Sequence, residues 1–242
     1  MTNGGVMKAS ARVSTANQLL ANLPRGDFKR IAPHLVPVSL ALGEVLYEPG
    51  TLIRQCYFPN DGVVSLLTVV APRKAAEVGM IGGEGLVGTC AAVGIRISQH
   101  RAVVQGAGSA MRMTAASLRK EFESSSSLQR GVLRFMHALM GQMAQTAVCN
   151  RFHTADMRLA RWLLATRDRL RSNSFYLTQQ FLSMMIGARR VGVTHAAGNF
   201  AKRNLISYTR GNVRILNVKG LQAASCECYE VVKDMYEPMA GS

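Results

Sequence analysis

Leu177-Thr178-Gln179-Gln180-Phe181-Leu182-Ser183-Met184-Met185-Ile186-Gly187-Ala188-Arg189-Arg190-Val191-Gly192-Val193-Thr194-His195 decides the fold of the C-terminal half of this 242-residue chain. Thr178 is a good N-cap for a short helix whose inward residues are Phe181, Leu182, Met185 and Ile186. Ser183 is small, as two closely crossing helices require. Gly187 follows the last inward residue, where a left-handed C-cap favours glycine. Val193 and Ala196 then resume the apolar face of a second helix. A small residue, a glycine four later and a valine six beyond that is the order of a helix-turn-helix.

The second helix opens at Arg189 and presents Arg189, Arg190, Thr194 and His195 at its leading end. In a helix-turn-helix that end reaches base edges in the major groove, and arginine can bond guanine O6 and N7 together. Thr178, Gln179 and Gln180, at the start of the preceding helix, suit phosphate contacts. Further on, Leu205-Ile206-Ser207-Tyr208 and Val213-Arg214-Ile215-Leu216 alternate as two strands around Thr209-Arg210-Gly211-Asn212. That is a hairpin with glycine available for a positive φ, hence a wing, with Arg210 facing phosphate from its tip. Upstream, Thr154 caps a helix carrying Met157, Leu159, Trp162, Leu163 and Leu164 inward, ended by Ser172-Asn173-Ser174.

Charge agrees with this assignment. The chain carries a net +15, but residues 151–218 alone hold 12 Lys/Arg against 2 Asp/Glu. Residues 1–150 hold 15 against 8, and the last 24 residues hold 2 against 4. Such a basic block attracts phosphates by releasing condensed counterions, whereas charge alone is equally a solubilising face. The expected partner is double-stranded DNA. The rival reading is a ligand-binding module whose basic half docks on RNA or protein.

The N-terminal half reads as short strands between turns. Val45-Leu46-Tyr47 runs into Glu48-Pro49-Gly50, and Cys56-Tyr57-Phe58 into Pro59-Asn60-Asp61-Gly62. Val63 to Val70 is β-branched and apolar, broken by Ala71-Pro72-Arg73-Lys74; Val103-Val104 and Met111-Arg112-Met113 follow. Strands at spacings near ten residues predict an antiparallel sandwich or barrel. Glycines 79, 82, 85 and 88 recur every third residue, and either a tight turn or an anion-cradling loop fits them. Beyond the polar run Ser124 to Ser127, Leu128, Val132, Phe135, Leu139 and Met143 form one apolar helical stripe. Leu133, Met136, Met140, Ala144 and Ala147 form a second beside it. One stripe has the chain's own β-domain to cover it; the other suits a second copy of the chain, although a plain core helix has the same periodicity.

With an apolar fraction of 48%, wholesale disorder is excluded. Met1 to Ala16 lacks an apolar signal core and no charge-free run of membrane length occurs, so a cytoplasmic protein without a membrane partner is expected. Five scattered cysteines, 56, 90, 149, 226 and 228, predict ordinary reduced thiols; no His or second Cys pair stands at zinc spacing, and no metal is expected. Nucleophile–base pairs and carboxylate pairs are also missing from the pattern, so the chain does not read as an enzyme.

These residues resemble the Crp/Fnr family, the catabolite-activator-like regulators, over roughly residues 18–230. The C-terminal match runs from Leu177 to Leu216, and Gly43-Glu44-Val45-Leu46-Tyr47-Glu48-Pro49-Gly50 is similar to the family's N-terminal signature. The resemblance implies an α+β chain: a flexible tail (1–17), an antiparallel β-roll of jelly-roll type for an effector (18–123), a long dimerisation helix (124–150) and a winged helix-turn-helix (151–242). It also implies a homodimer on a palindromic operator that contacts RNA polymerase. In the family an acidic residue that reads cytosine often stands where this chain has Val191, so a different operator is expected. The effector motif departs further. Gly83-Glu84 is present, but Gln99-His100-Arg101-Ala102 has no hydroxyl residue beside its arginine, so the cyclic-nucleotide phosphate motif is degenerate. Gly83, Glu84, His100 and Arg101 are the effector candidates that remain. The cysteine cluster of the family's oxygen sensors is missing, since no cysteine precedes Cys56.

Overall fold

The computed structural model describes residues 16–71 and 74–237. Of the expected tail, residues 1–15 lie outside the described residues, whereas Asn17 is fully buried. Asn17 caps α1 (Gln18–Ala21) and donates through Nδ2 to the carbonyls of Pro59 and Gly85. After α2 (Arg25–Ile31) come β1 (Val36–Leu40), β2 (Val45–Tyr47), β3 (Gln55–Pro59), β4 (Val63–Ala71), β5 (Lys74–Ile81), β6 (Arg101–Gly106) and β7 (Gly108–Thr114). They form two antiparallel sheets, ordered β1-β7-β3 and β2-β6-β4-β5. Val64, Phe58, Val104, Ala110 and Met113 face inward and are almost fully buried, as alternation along paired strands demands.

The glycine run proves to be a strand end and turn. Gly79 lies in β5, and Gly85 N–H bonds the Gly82 carbonyl at 3.1 Å. A Cβ on Gly85 would stand 2.2 Å from the Phe135 ring, so the turn presses against the long helix. That helix, α4 (Ser126–Phe152), follows α3 (Ala115–Ser124) and starts at Ser125, whose hydroxyl accepts from Leu128 N–H. Leu128, Val132, Phe135 and Leu139 are buried against the sheets of their own chain. The second stripe is not covered: Leu133, Met140, Ala144 and Ala147 are exposed, Met140 by 67%.

The C-terminal half comprises α5 (Ala155–Leu170), β8 (Ser174–Tyr176), α6 (Gln179–Met185), α7 (Arg190–Lys202), β9 (Ile206–Thr209), β10 (Asn212–Ile215), α8 (Val218–Ala224) and α9 (Cys228–Tyr236). The wing is three-stranded, β8-β10-β9, because Ser174 to Tyr176 pairs with β10 instead of only closing α5. Trp162, Leu163, Leu182, Val193 and Phe200 make this domain's core, which continues into Leu67, Met80 and Val103 of the β-domain. Helix α9 turns back along α4, with the Tyr236 and Phe135 rings 6.3 Å apart and Tyr236 donating to Gln142 Oε1 at 2.7 Å. Among the described residues no helix is long and apolar enough to cross a membrane.

Candidate nucleic-acid interface

The helix pair is built as its residue order requires. Thr178 Oγ1 accepts from Phe181 N–H at 3.1 Å and so opens α6. Gly187, at φ +59°, reverses the chain after Ile186, with Ala188 N–H on the Ser183 carbonyl. Arg158 of α5 donates to the Gly187 carbonyl (3.3 Å) and to Asn150 Oδ1 of α4 (3.4 Å), fixing the turn to the end of the long helix.

Helix α7 opens one residue later than expected, with Arg189 as its N-cap. Val193, Ala196, Ala197 and Phe200 face the core; Arg189, Arg190, Val191, Thr194 and His195 face solvent. Among the described residues no carboxylate pairs with Arg189, Arg190 or Arg210. Thr194 Oγ1 lies 3.1 Å from Gln179 Oε1 and 3.0 Å from the Arg190 carbonyl, tying the exposed face of α7 to α6. His195 Nδ1 faces Asn199 Nδ2 at 3.2 Å, and that amide also donates to Asp156 Oδ2. An acceptor role for Nδ1 places the proton on Nε2, leaving a donor on the outer side of the ring.

In the wing, Arg210 (φ +50°) and Gly211 (φ +87°) are the two central residues of a hairpin turn of the type that needs positive φ at both. A Cβ on Gly211 would also sit 2.7 Å from the Tyr176 ring. One cleft gathers Thr178, Gln179, Arg190 and Arg210 between wing and helix; a shallow neighbour gathers Gln179, Arg190, Val191, Thr194 and His195. Gln180 and Arg189 are exposed beside these clefts without lining them. The surface is thus a strip of cations without a carboxylate partner among the described residues, with outward donors on a projecting helix, flanked by a basic wing tip.

Residues 157–224 match the family described as the Crp-like helix-turn-helix domain. This C-terminal unit is thus similar to the Crp-like helix-turn-helix domain. No curated protein matches the sequence. A putative Crp/Fnr-family regulator from Eubacterium rectale shares the whole architecture at 14% identity (TM-score 0.66; 85% of this chain, 96% of that one). A Crp/Fnr-family regulator from Thermus thermophilus does so at 18% identity (TM-score 0.66; 78% and 98%), and FixK2 of Bradyrhizobium japonicum at 13% (TM-score 0.64; 79% and 98%). At such identities these structures show the fold: antiparallel β-domain, long helix and Crp-like domain in that order.

The four effector candidates do not assemble into one site. Glu84 is captured by Arg169 of the Crp-like domain (Oε1 to Nε, 2.7 Å), and Gly83 and Glu84 line a cleft with α5 and α9. Arg101 pairs with Glu48 at 2.8 Å, 53 residues away in sequence. His100 alone lines the cavity between the β-domain and α4, about 330 Å³, with Tyr47, Leu66, Ile97, Met136 and Leu139. No Lys or Arg is among its described lining residues, and burial lowers the His100 pKa below its usual value, leaving the ring uncharged at neutral pH.

Proposed function

We propose that the chain is a transcription regulator that binds double-stranded DNA in a sequence-specific manner as a homodimer. The observation that carries this reading is the exposed face of α7, where Arg189, Arg190, Thr194 and His195 project beside the wing arginine with no carboxylate partner among the described residues. Arg190 and His195 are assigned to base edges; Thr178, Gln179, Gln180 and Arg210 to phosphate. Val191, 81% exposed at the same face, offers an apolar contact for a thymine methyl group in place of an acceptor for cytosine. The exposed stripe of α4 supplies the second half of the site: Leu133, Met140, Ala144 and Ala147 recur at steps of seven, four and three residues, spacings that a two-stranded seam uses. A place in the cytoplasm follows from this role.

The effector pocket belongs to the same proposal. Its described lining residues include no Lys or Arg for a cyclic phosphate, and an uncharged, mainly apolar small molecule suits it better. The decisive experiment selects duplexes from a random pool with purified protein, then measures affinity for the enriched and a scrambled sequence across a salt series. Enrichment of an inverted repeat and a specific-to-random ratio of at least about 10³ support the reading. Equal affinity for both duplexes, or preference for RNA, rejects it.

A further inference from the structure

Cys149 and His153 end α4, and Cys226 and Cys228 flank the start of α9, more than 70 residues later. The fold brings them to one point. Their sulfur and imidazole atoms all lie within 4.8 Å of one another, and the three cysteines are buried. We propose that Cys149, His153, Cys226 and Cys228 bind one zinc ion in a tetrahedral, closed Cys3His site.

Two edges of the cluster fit a tetrahedral site, and no two donor atoms are more than 4.8 Å apart. Zinc–sulfur bonds of about 2.3 Å give sulfur–sulfur edges of about 3.8 Å, and the shorter zinc–nitrogen bond gives slightly shorter mixed edges. Cys149 Sγ lies 3.6 Å from Cys226 Sγ, and Cys228 Sγ lies 3.5 Å from His153 Nδ1. The outer shell is in place as well. His153 turns Nδ1 to the sulfurs while its Nε2 lies 3.1 Å from Glu227 Oε1, the carboxylate–histidine relation that orients a metal-binding imidazole. Gln145 Nε2 donates to Cys228 Sγ at 3.0 Å, as amides do toward bound thiolates.

Charge complementarity is an independent observation. Three thiolates and a zinc ion carry one net negative charge. Arg158 and Arg161 of α5 both interact electrostatically with Cys149, and the Nε of each is buried with no hydrogen-bond partner among the described residues. Arg161, only 6% exposed, also feels Glu77 but has no carboxylate within ion-pair distance among the described residues. Ligand softness and the N/S donor set favour zinc over hard cations, and four protein ligands leave no open coordination position. The ion would therefore be structural. It would fasten α9 to the last turn of α4 at His153, the residue between the long helix and the Crp-like domain.

The test needs no knowledge of the DNA reading, and its failure would leave that reading intact. Full-length protein, purified anaerobically with a reductant from zinc-supplemented cells, should retain one zinc per chain by native mass spectrometry. Replacement by cobalt(II) should give a thiolate charge-transfer band with intense tetrahedral d–d bands. Cys226→Ser and Cys228→Ser should lose the metal, and Cys90→Ser, outside the cluster, should keep it. If the serine variants fail to fold, the metal content and cobalt spectrum of the wild-type chain still decide. Wild-type protein with no bound metal, an iron–sulfur chromophore, a Cys149–Cys226 disulfide in the reduced preparation, or Cys226→Ser binding zinc as well as wild type would each overturn the assignment.

Discussion

Trp162 of the Crp-like domain donates its indole N–H to Glu77 of the β-domain across 3.0 Å, in a fully buried junction. The other carboxyl oxygen lies 2.5 Å from Ser65 Oγ, which is itself 2.6 Å from Gln105 Oε1. Ser65 has one proton for two acceptors, so the chain of bonds is complete when Glu77 carries a proton. Burial pushes the Glu77 carboxyl up to about 7, in line with that count.

This junction predicts a pH dependence. Between about pH 4.5, where an unfolded glutamate releases its proton, and about 7, the folded protein holds a proton that the unfolded chain does not. Stability therefore falls as pH rises through that window, by about 1–3 kcal/mol from this group. Glu77→Gln mimics the protonated acid and should flatten this contribution. Thermal unfolding from pH 4.5 to 7.5 checks it; an identical slope in the variant would reject the role given to Glu77.

Arg190 and Arg210 should differ in kind. Arg190→Ala should cost about 1–3 kcal/mol on the preferred duplex and relax discrimination at one base position. Arg210→Ala should weaken all duplexes alike and reduce the salt slope by about one. Competition binding with single-base operator variants separates the two, and a uniform loss for Arg190→Ala would move that residue to the phosphate class.

The uncovered stripe of α4 predicts its own disruption. Met140→Glu introduces a charge at the centre of the proposed seam without touching the chain's own core. Sedimentation should show a shift to monomer at micromolar protein, with weaker binding to a full operator and unchanged far-ultraviolet dichroism. A variant that stays dimeric would place the interface elsewhere.

Glu84 is read as a structural partner of Arg169. Glu84→Ala leaves a guanidinium that is 11% exposed without its carboxylate, at a cost of about 3–5 kcal/mol. Chemical denaturation measures the loss. A stability unchanged by the substitution would return Glu84 to the effector candidates.

The parts of the fold readable from sequence are those whose signals are local. Thr178, Ser183, Gly187 and Val193 specify the helix pair within sixteen residues, and Arg210-Gly211 specifies the wing turn in two. The two stripes of α4 are also visible, although only the packed structure shows that Leu128, Val132 and Phe135 face inward while Leu133 and Met140 do not. What escapes depends on distant partners. Ser174 to Tyr176 becomes a strand only by pairing with Asn212 to Arg214. Glu84 sits in a familiar motif, yet Arg169, 85 positions on, takes its carboxylate. The cysteine–histidine cluster spans two segments whose spacing, Cys-x3-His and Cys-x-Cys, signals nothing until α9 folds back on α4. A sequence scan for half-sites separated by any distance is the signal that would have found it.

The return of α9 to α4 has a mechanical consequence. The Crp-like domain is held at its entry by the end of the long helix, at its exit by the last one, and between them by the Trp162–Glu77 junction and the core it shares with Leu67, Met80 and Val103. A body fastened along a broad seam as well as at both ends has no free hinge. Its orientation changes only when the shared packing itself gives way, so the two halves of the chain move as one piece until then.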